Sequence, residues 1–111
     1  MNAADAALIN GTAGHALDFD DVALGGHPST VLVPAVLAAA EEVNASGAEV
    51  LRAYLVGYEV WAELFTRETD AYHLKGWHPT AVFGAVASAA ASACARRLDA
   101  ARAAHAVGIA A

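Results

Sequence analysis

Ser46-Gly-Ala-Glu49-Val-Leu51-Arg-Ala-Tyr-Leu55-Val-Gly-Tyr58-Glu-Val-Trp-Ala62-Glu-Leu-Phe65 is the stretch that decides the fold class. Ser46 and Glu49 stand at the spacing of a capping box, in which the serine hydroxyl and the glutamate carboxylate each satisfy a free N–H of the first helical turn. Leu51, Leu55, Tyr58, Ala62 and Phe65 then recur every three or four residues, the period of a helix. The spacing predicts a helix over Ala48–Arg67.

Working outward, two further helices open with proline in the first turn, where its missing N–H and fixed φ suit the helix start. They are Pro28–Val43, which stops before Asn44-Ala-Ser-Gly47, and Pro79–Arg97. A helix over Ala3–Asp18 has apolar positions at Ala4, Leu8, Ala13, Ala16 and Leu17 and is interrupted by Asn10-Gly11. Asp99 is a candidate cap for a last helix running to Ala111, and Glu68–Trp77 reads as a polar loop. No stretch alternates apolar and polar residues for long, and hairpin-type turn dipeptides are absent. The fold class is all-α: an alanine-rich helical bundle whose helices approach closely over Ala and Gly faces.

The 111 residues are enough for one domain, 1–111, and too few for two. Hydrophobic residues make up 58% and charged residues 16%, a shortage of charge for a domain with so much surface per unit volume. Much of that surface is therefore expected to be covered by a partner subunit or by the remainder of a longer protein. The apolar ending Ala106-Val-Gly-Ile-Ala-Ala111, which carries no cap, points the same way.

Val22–Ala40 is uncharged but holds Gly25, Gly26, His27, Pro28 and Pro34, and Pro79–Ala95 is short and built mostly of Ala and Ser. Neither is material for a membrane span. The start Met1-Asn-Ala-Ala-Asp5 lacks the basic residues of a secretory signal, so a cytoplasmic setting is the expectation. A net charge of −6 with six Lys and Arg excludes a nucleic-acid surface. The lone Cys94 has no internal disulfide partner and reads as a small buried residue, and His105 as a core histidine.

Two motifs resemble each other: His27-Pro-Ser29-Thr30 and His78-Pro-Thr80. Each histidine should stand at a helix N-cap, beside free N–H groups and the positive dipole end. Such a site attracts carboxylate and keeps an imidazole neutral, ready to act as a base. The plain alternative is that each histidine merely caps its helix. A second cluster is His15-Ala-Leu-Asp18-Phe-Asp20-Asp21. His15 and Asp18 share a helix face, and mutual repulsion among the aspartates would raise one carboxyl pKa. Zinc or manganese held by His15, Asp18 and His27 is a rival reading, and so is a solvated helix end. In Tyr72-His-Leu-Lys75-Gly76-Trp77, Lys75 could neutralise a carboxylate and Trp77 could wall a pocket.

In combination, Asn10-Gly-Thr-Ala-Gly-His-Ala-Leu-Asp-Phe-Asp-Asp21, His27-Pro-Ser29, Gly57-Tyr-Glu-Val60, Lys75-Gly-Trp-His-Pro-Thr-Ala-Val-Phe-Gly84 and Gly108-Ile-Ala110 resemble the MmgE/PrpD family. That family includes 2-methylcitrate dehydratase, cis-aconitate decarboxylase and an iminodisuccinate epimerase. The resemblance implies that this chain is part of a large helical domain, followed in full-length members by a smaller α/β domain. It also implies a homodimer, a small polycarboxylate substrate and chemistry without metal or organic cofactor. Asp18, His27 and His78 match the family's active-site aspartate and histidines; Lys75, Ser29 and Thr80 are the accompanying candidates for substrate binding. Val22 stands where the family commonly has threonine, and Gly25-Gly26 fill a shortened approach to His27. Lysines and a tyrosine that complete the family site fall in later sequence. The leading expectation is a 2-methylcitrate dehydratase-like lyase; a decarboxylase, an epimerase or a non-catalytic helical module are the alternatives.

Overall fold

The computed structural model describes residues 1–67 and 72–111, so the first four positions of the loop expected over Glu68–Trp77 lie outside the described residues. Among the described residues the chain forms helices α1 (Ala3–His15), α2 (Pro28–Glu42), α3 (Gly47–Arg67), α4 (Pro79–Ala95) and α5 (Ala100–Ala110), with a 3₁₀ turn at Tyr72–Lys75. None is long and apolar enough to cross a membrane.

The caps follow from local chemistry. Ser46 N–H and Oγ–H both donate to Glu49 Oε2, at 2.8 and 2.9 Å, and Glu49 N–H donates back to Ser46 Oγ. The Glu49 carboxylate also takes Arg97 Nε–H at 2.7 Å, tying the start of α3 to the end of α4. These bonds, led by the one from the Ser46 backbone, hold its pKa down at about 2. Asp99 accepts from Arg102 N–H at the start of α5, and Asn2 from Asp5 N–H at the start of α1.

Helices α2 and α4 form the centre: α4 packs on α2, α3 and α5, while α1 packs on α2. On α4 the buried positions Phe83, Ala87, Ala91 and Ala95 repeat every four residues, as do Ala53, Gly57 and Trp61 on α3. Leu32 and Val36 of α2 close the core between them. A Cβ built on Gly57 would lie 2.7 Å from Leu32 Cδ2 and 2.9 Å from Ala91 Cβ, so only glycine lets α3 approach α2 and α4 this closely.

Several expectations are corrected here. Helix α1 continues through Asn10-Gly11 and stops at His15, because Asp18 turns into the left-handed region (φ 57°). Helix α4 ends at Ala95, with Arg97 left-handed at φ 55°. The hydrophobic spacing of α3 is real, yet Leu51 and Leu55 stay 66% and 60% exposed while the smaller face enters the core. Propensity and period fix the helix, but close approach selects the Ala–Gly–Trp side. Cys94 is half-buried rather than buried, and His105 is exposed rather than part of the core. A tight reversal that the turn dipeptides did not announce closes Ala23–Gly26 with reciprocal backbone bonds of 2.9 and 3.0 Å, Leu24 and Gly25 both having positive φ.

Neither α1 nor α5 contains a buried residue. Leu8, Leu17, Phe19, Trp77 and Ile109 are all exposed large apolar side chains, the physical form of the charge shortage seen in the sequence.

Candidate active site

His27 and His78 occupy the N-caps of α2 and α4, each followed by proline, and neither side chain makes a capping hydrogen bond. The plain capping role therefore does not account for either imidazole. The two motifs are joined through the backbone: Thr80 Oγ1 accepts His27 N–H at 3.1 Å. Gly26 allows this, since a Cβ there would meet Thr80 Oγ1 at 2.9 Å and the Trp61 ring at 3.0 Å. Buried Trp61 in turn donates its indole N–H to Leu24 O at 3.1 Å, pinning the 23–26 reversal that delivers His27.

The left-handed turn at Asp18 folds the Asp18–Asp20 segment back over the end of α1. Asp18 Oδ1 then lies 3.6 Å from His27 Nε2 and 3.9 Å from His15 Nδ1. Asp20, only 12% exposed, places both carboxylate oxygens 2.9 and 3.0 Å from His15 Nδ1. Asp20 Oδ2 is also 3.3 Å from His27 Nδ1. That nitrogen is buried and makes no aligned hydrogen bond, so the two groups face each other without a formed bond. The two imidazole centroids are 4.8 Å apart. The His15–Asp20 hydrogen bond raises the pKa of His15 and lowers that of Asp20, outweighing the opposing effect of desolvation in both.

His78 does not join this cluster. It stands on the wall of a cavity of about 660 Å³ bounded by α1, α2 and α4, which it shares with His15, Thr30 and Thr80. A second cavity of about 520 Å³ lies on its other side, against Tyr72, Trp77 and the end of α5. His15 is thus the link, touching His27 on one side and lining the His78 cavity on the other.

Of the expected substrate contacts, Thr80 is buried with its hydroxyl on His27 N–H, and Ser29 Oγ is bonded to Tyr54 Oη at 2.8 Å while its N–H donates to Asp21. Tyr58 packs beside Tyr54, with its pKa raised by desolvation and by the nearby Tyr54 and Asp21. Lys75 ends the exposed 3₁₀ turn, and Trp77 walls the second cavity. His15 and Asp20 take a larger part than spacing suggested. Their five-residue separation matches no helix face, and only the stop of α1 at His15 would have signalled the contact.

His15, Asp18, Asp20 and His27 each have one potential ligand atom within 4.8 Å of the others, a donor set that suits a divalent cation. A cation there would have to replace the His15–Asp20 hydrogen bond.

A family description, the MmgE/PrpD N-terminal domain, matches residues 1–111. The chain is 39% identical to human cis-aconitate decarboxylase over 93 residues, 78% of this chain and 19% of that protein. The mouse cis-aconitate decarboxylase is 38% identical over 93 residues with the same coverage. A cis-aconitate decarboxylase-like protein of Aspergillus oryzae is 38% identical over 97 residues, again 78% of this chain and 20% of the other. The chain therefore spans about a fifth of the length of the curated relatives it matches. No solved structure matches it.

Proposed function

The chain belongs to the MmgE/PrpD family, and from that premise we propose that it forms part of a lyase acting on small di- or tricarboxylates without a metal or organic cofactor. The observation that carries the reading is Asp18 Oδ1 at 3.6 Å from His27 Nε2, at the N-cap of α2. An acid–base pair stands there beside helix N–H groups that favour a substrate carboxylate.

Between the reactions open to such a site, decarboxylation of a cis-aconitate-like triacid is the better supported, because the three relatives above are all named for it. In that reaction the bond to one carboxylate breaks, its electron pair stays on the carbon framework, and a protonated imidazole delivers a proton to carbon as CO2 leaves. His27, held between Asp18 and Asp20, and His78, at the joined cap of α4, are the candidate proton carriers. Asp18 would stabilise the imidazolium form. Lys75 remains a candidate carboxylate contact, whereas Ser29 and Thr80 serve better as supports, their hydroxyls already being engaged. Dehydration of 2-methylcitrate asks the same groups to remove a proton next to a carboxylate and assist a departing hydroxide, and is the second reading. The exposed apolar faces of α1 and α5 fit a homodimer or further parts of the polypeptide covering them.

The test is incubation of the full-length protein with cis-aconitate and with 2-methylcitrate, followed by NMR of the products. One CO2 and one five-carbon diacid per cis-aconitate supports the decarboxylase. An alkene formed from 2-methylcitrate without CO2 supports the dehydratase, and consumption of neither overturns both.

A further inference from the structure

The end of α1 and the cap of α2 gather two imidazoles and two carboxylates, of His15, Asp18, Asp20 and His27, with a ligand atom of each within 4.8 Å of the rest. His15 Nδ1 is 2.9 Å from Asp20 Oδ1 and 3.9 Å from Asp18 Oδ1, and Asp18 Oδ1 is 3.6 Å from His27 Nε2. Ligand atoms bound at about 2.0–2.1 Å to a tetrahedral zinc ion stand about 3.3 Å apart, so side-chain shifts of about 1 Å close this set around one ion. Two carboxylates balance the charge of a divalent cation, and two neutral imidazoles complete a nitrogen–oxygen set that suits Zn2+. Whichever nitrogen of His27 binds, the other faces a carboxylate: Nδ1 is 3.3 Å from Asp20 and Nε2 is 3.6 Å from Asp18. A metal-bound imidazole usually has that second contact. In either case the buried Nδ1 of His27, which makes no hydrogen bond, acquires a role. Asp18, 74% exposed, leaves the ion a way in, while the 12% exposed Asp20 holds the inner side. Among the described residues the arginine ion pairs fall on Glu42, Glu49, Glu63 and Asp99, so no guanidinium is paired with Asp18 or Asp20 in a cation's place.

We propose that His15, Asp18, Asp20 and His27 form an inhibitory zinc site, at which a bound Zn2+ withdraws the Asp18–His27 pair from proton transfer. An ionised carboxylate only accepts, so His15 now carries its proton on Nδ1, toward Asp20. On binding the ion, His15 gives up that bond and holds the proton on Nε2 instead, and Nδ1 presents its lone pair. A metal-bound imidazole cannot become an imidazolium, and an Asp18 oxygen on the ion no longer stabilises one. The ion therefore takes the two groups that the reaction needs, at the helix N-terminus where a substrate carboxylate would sit.

The inhibition rests on the lyase reading, while the binding can be measured without turnover. Full-length protein treated with a chelator and gel-filtered is titrated with Zn2+ in a calorimeter, without substrate. One ion per chain should bind, and binding should weaken at least about tenfold in His15→Gln and in Asp20→Asn. Either variant suffices should the other not fold. Turnover is then followed at free Zn2+ levels fixed by a chelating buffer, since polycarboxylates bind the ion themselves. It should fall at least about tenfold when the site is filled and return when chelator is added. No stoichiometric binding, or unweakened binding in the folded variants, overturns the site. Binding here with turnover intact overturns the inhibition, and turnover that requires the ion overturns both the inhibition and the metal-free form of the lyase reading. Binding that depends on His15 and Asp20 in a protein that consumes no polycarboxylate overturns the lyase reading and leaves the zinc site standing.

Discussion

Thr80 Oγ1 accepts the backbone N–H of His27 at 3.1 Å, joining two motifs that are 53 residues apart in the chain. The bond sets the N-cap of α2 against the first turn of α4, so the positions of His27 and His78 are fixed relative to each other by one buried hydroxyl. Thr80→Val keeps the shape but leaves a part-buried N–H without its acceptor. Stability should fall by about 1–3 kcal/mol, and Thr80→Ser should retain most of it. Denaturant melts of the two variants measure this. A raised KM with unchanged stability would instead mark Thr80 as a substrate contact.

His78→Ala in the full-length protein should lower turnover of the active polycarboxylate at least roughly a hundredfold, the scale of a positioned acid–base group. The protein should melt normally, because the imidazole is exposed and makes no capping bond. His27→Ala should lose rate on the same scale. A near-normal rate in either variant removes that histidine from the chemistry.

The His15–Asp20 bond predicts a bell-shaped contribution to stability. His15 is raised above 6.5 in the fold, so its share is complete below that value and fades as pH rises through the folded pKa. Asp20 is lowered below 3.8, so its share is complete above that value and fades as pH falls through its folded pKa. The two overlap from about pH 4 to 6.5. Denaturant melts of wild type and His15→Gln should differ most inside that window and converge on either side. A constant difference across the range would mean that the bond does not form in solution.

What was legible in the sequence was mostly local. The capping box at Ser46–Glu49, the prolines at positions 28 and 79 and the cap at Asp99 each act within four residues, and the helices begin where those signals stand. The helix ends at His15 and Ala95 were not legible, since they depend on Asp18 and Arg97 entering the left-handed region, which only a few residues strongly signal. The N-cap placement of His27 and His78 followed from proline, and Asp18 does meet His27. Yet His78 lies apart from them, because the place of α4 is set by its packing on α2 and α3, contacts between segments far apart in the chain that no local signal carries. For the same reason the apolar period locates α3 without showing which side turns inward: Leu51 and Leu55 stay exposed, and Gly57 decides which side can come close.

Gly57 and Gly47 lie on the same helix and should respond in opposite ways to alanine. Alanine is favoured over glycine in a helix, and it also reduces the freedom of the unfolded chain, together by up to about 1 kcal/mol. At Gly47, in the exposed first turn of α3, a Cβ meets nothing within 4 Å and φ is not positive, so Gly47→Ala should gain about 0.5 kcal/mol. At Gly57 the same Cβ would meet Leu32 Cδ2 at 2.7 Å, Ala91 Cβ at 2.9 Å and Ala87 O at 3.1 Å. The Leu32 methyl can rotate away, but Ala91 and the α4 backbone can yield only if the helices move apart. Overpacking of this kind costs about 1–3 kcal/mol, which exceeds the propensity gain, so Gly57→Ala should lose about 1 kcal/mol net. Parallel denaturant melts of the two variants settle the point: a stabilised Gly57→Ala would mean that α3 and α4 are not in the close contact on which the buried Trp61, and with it the Leu24 anchor of His27, depends.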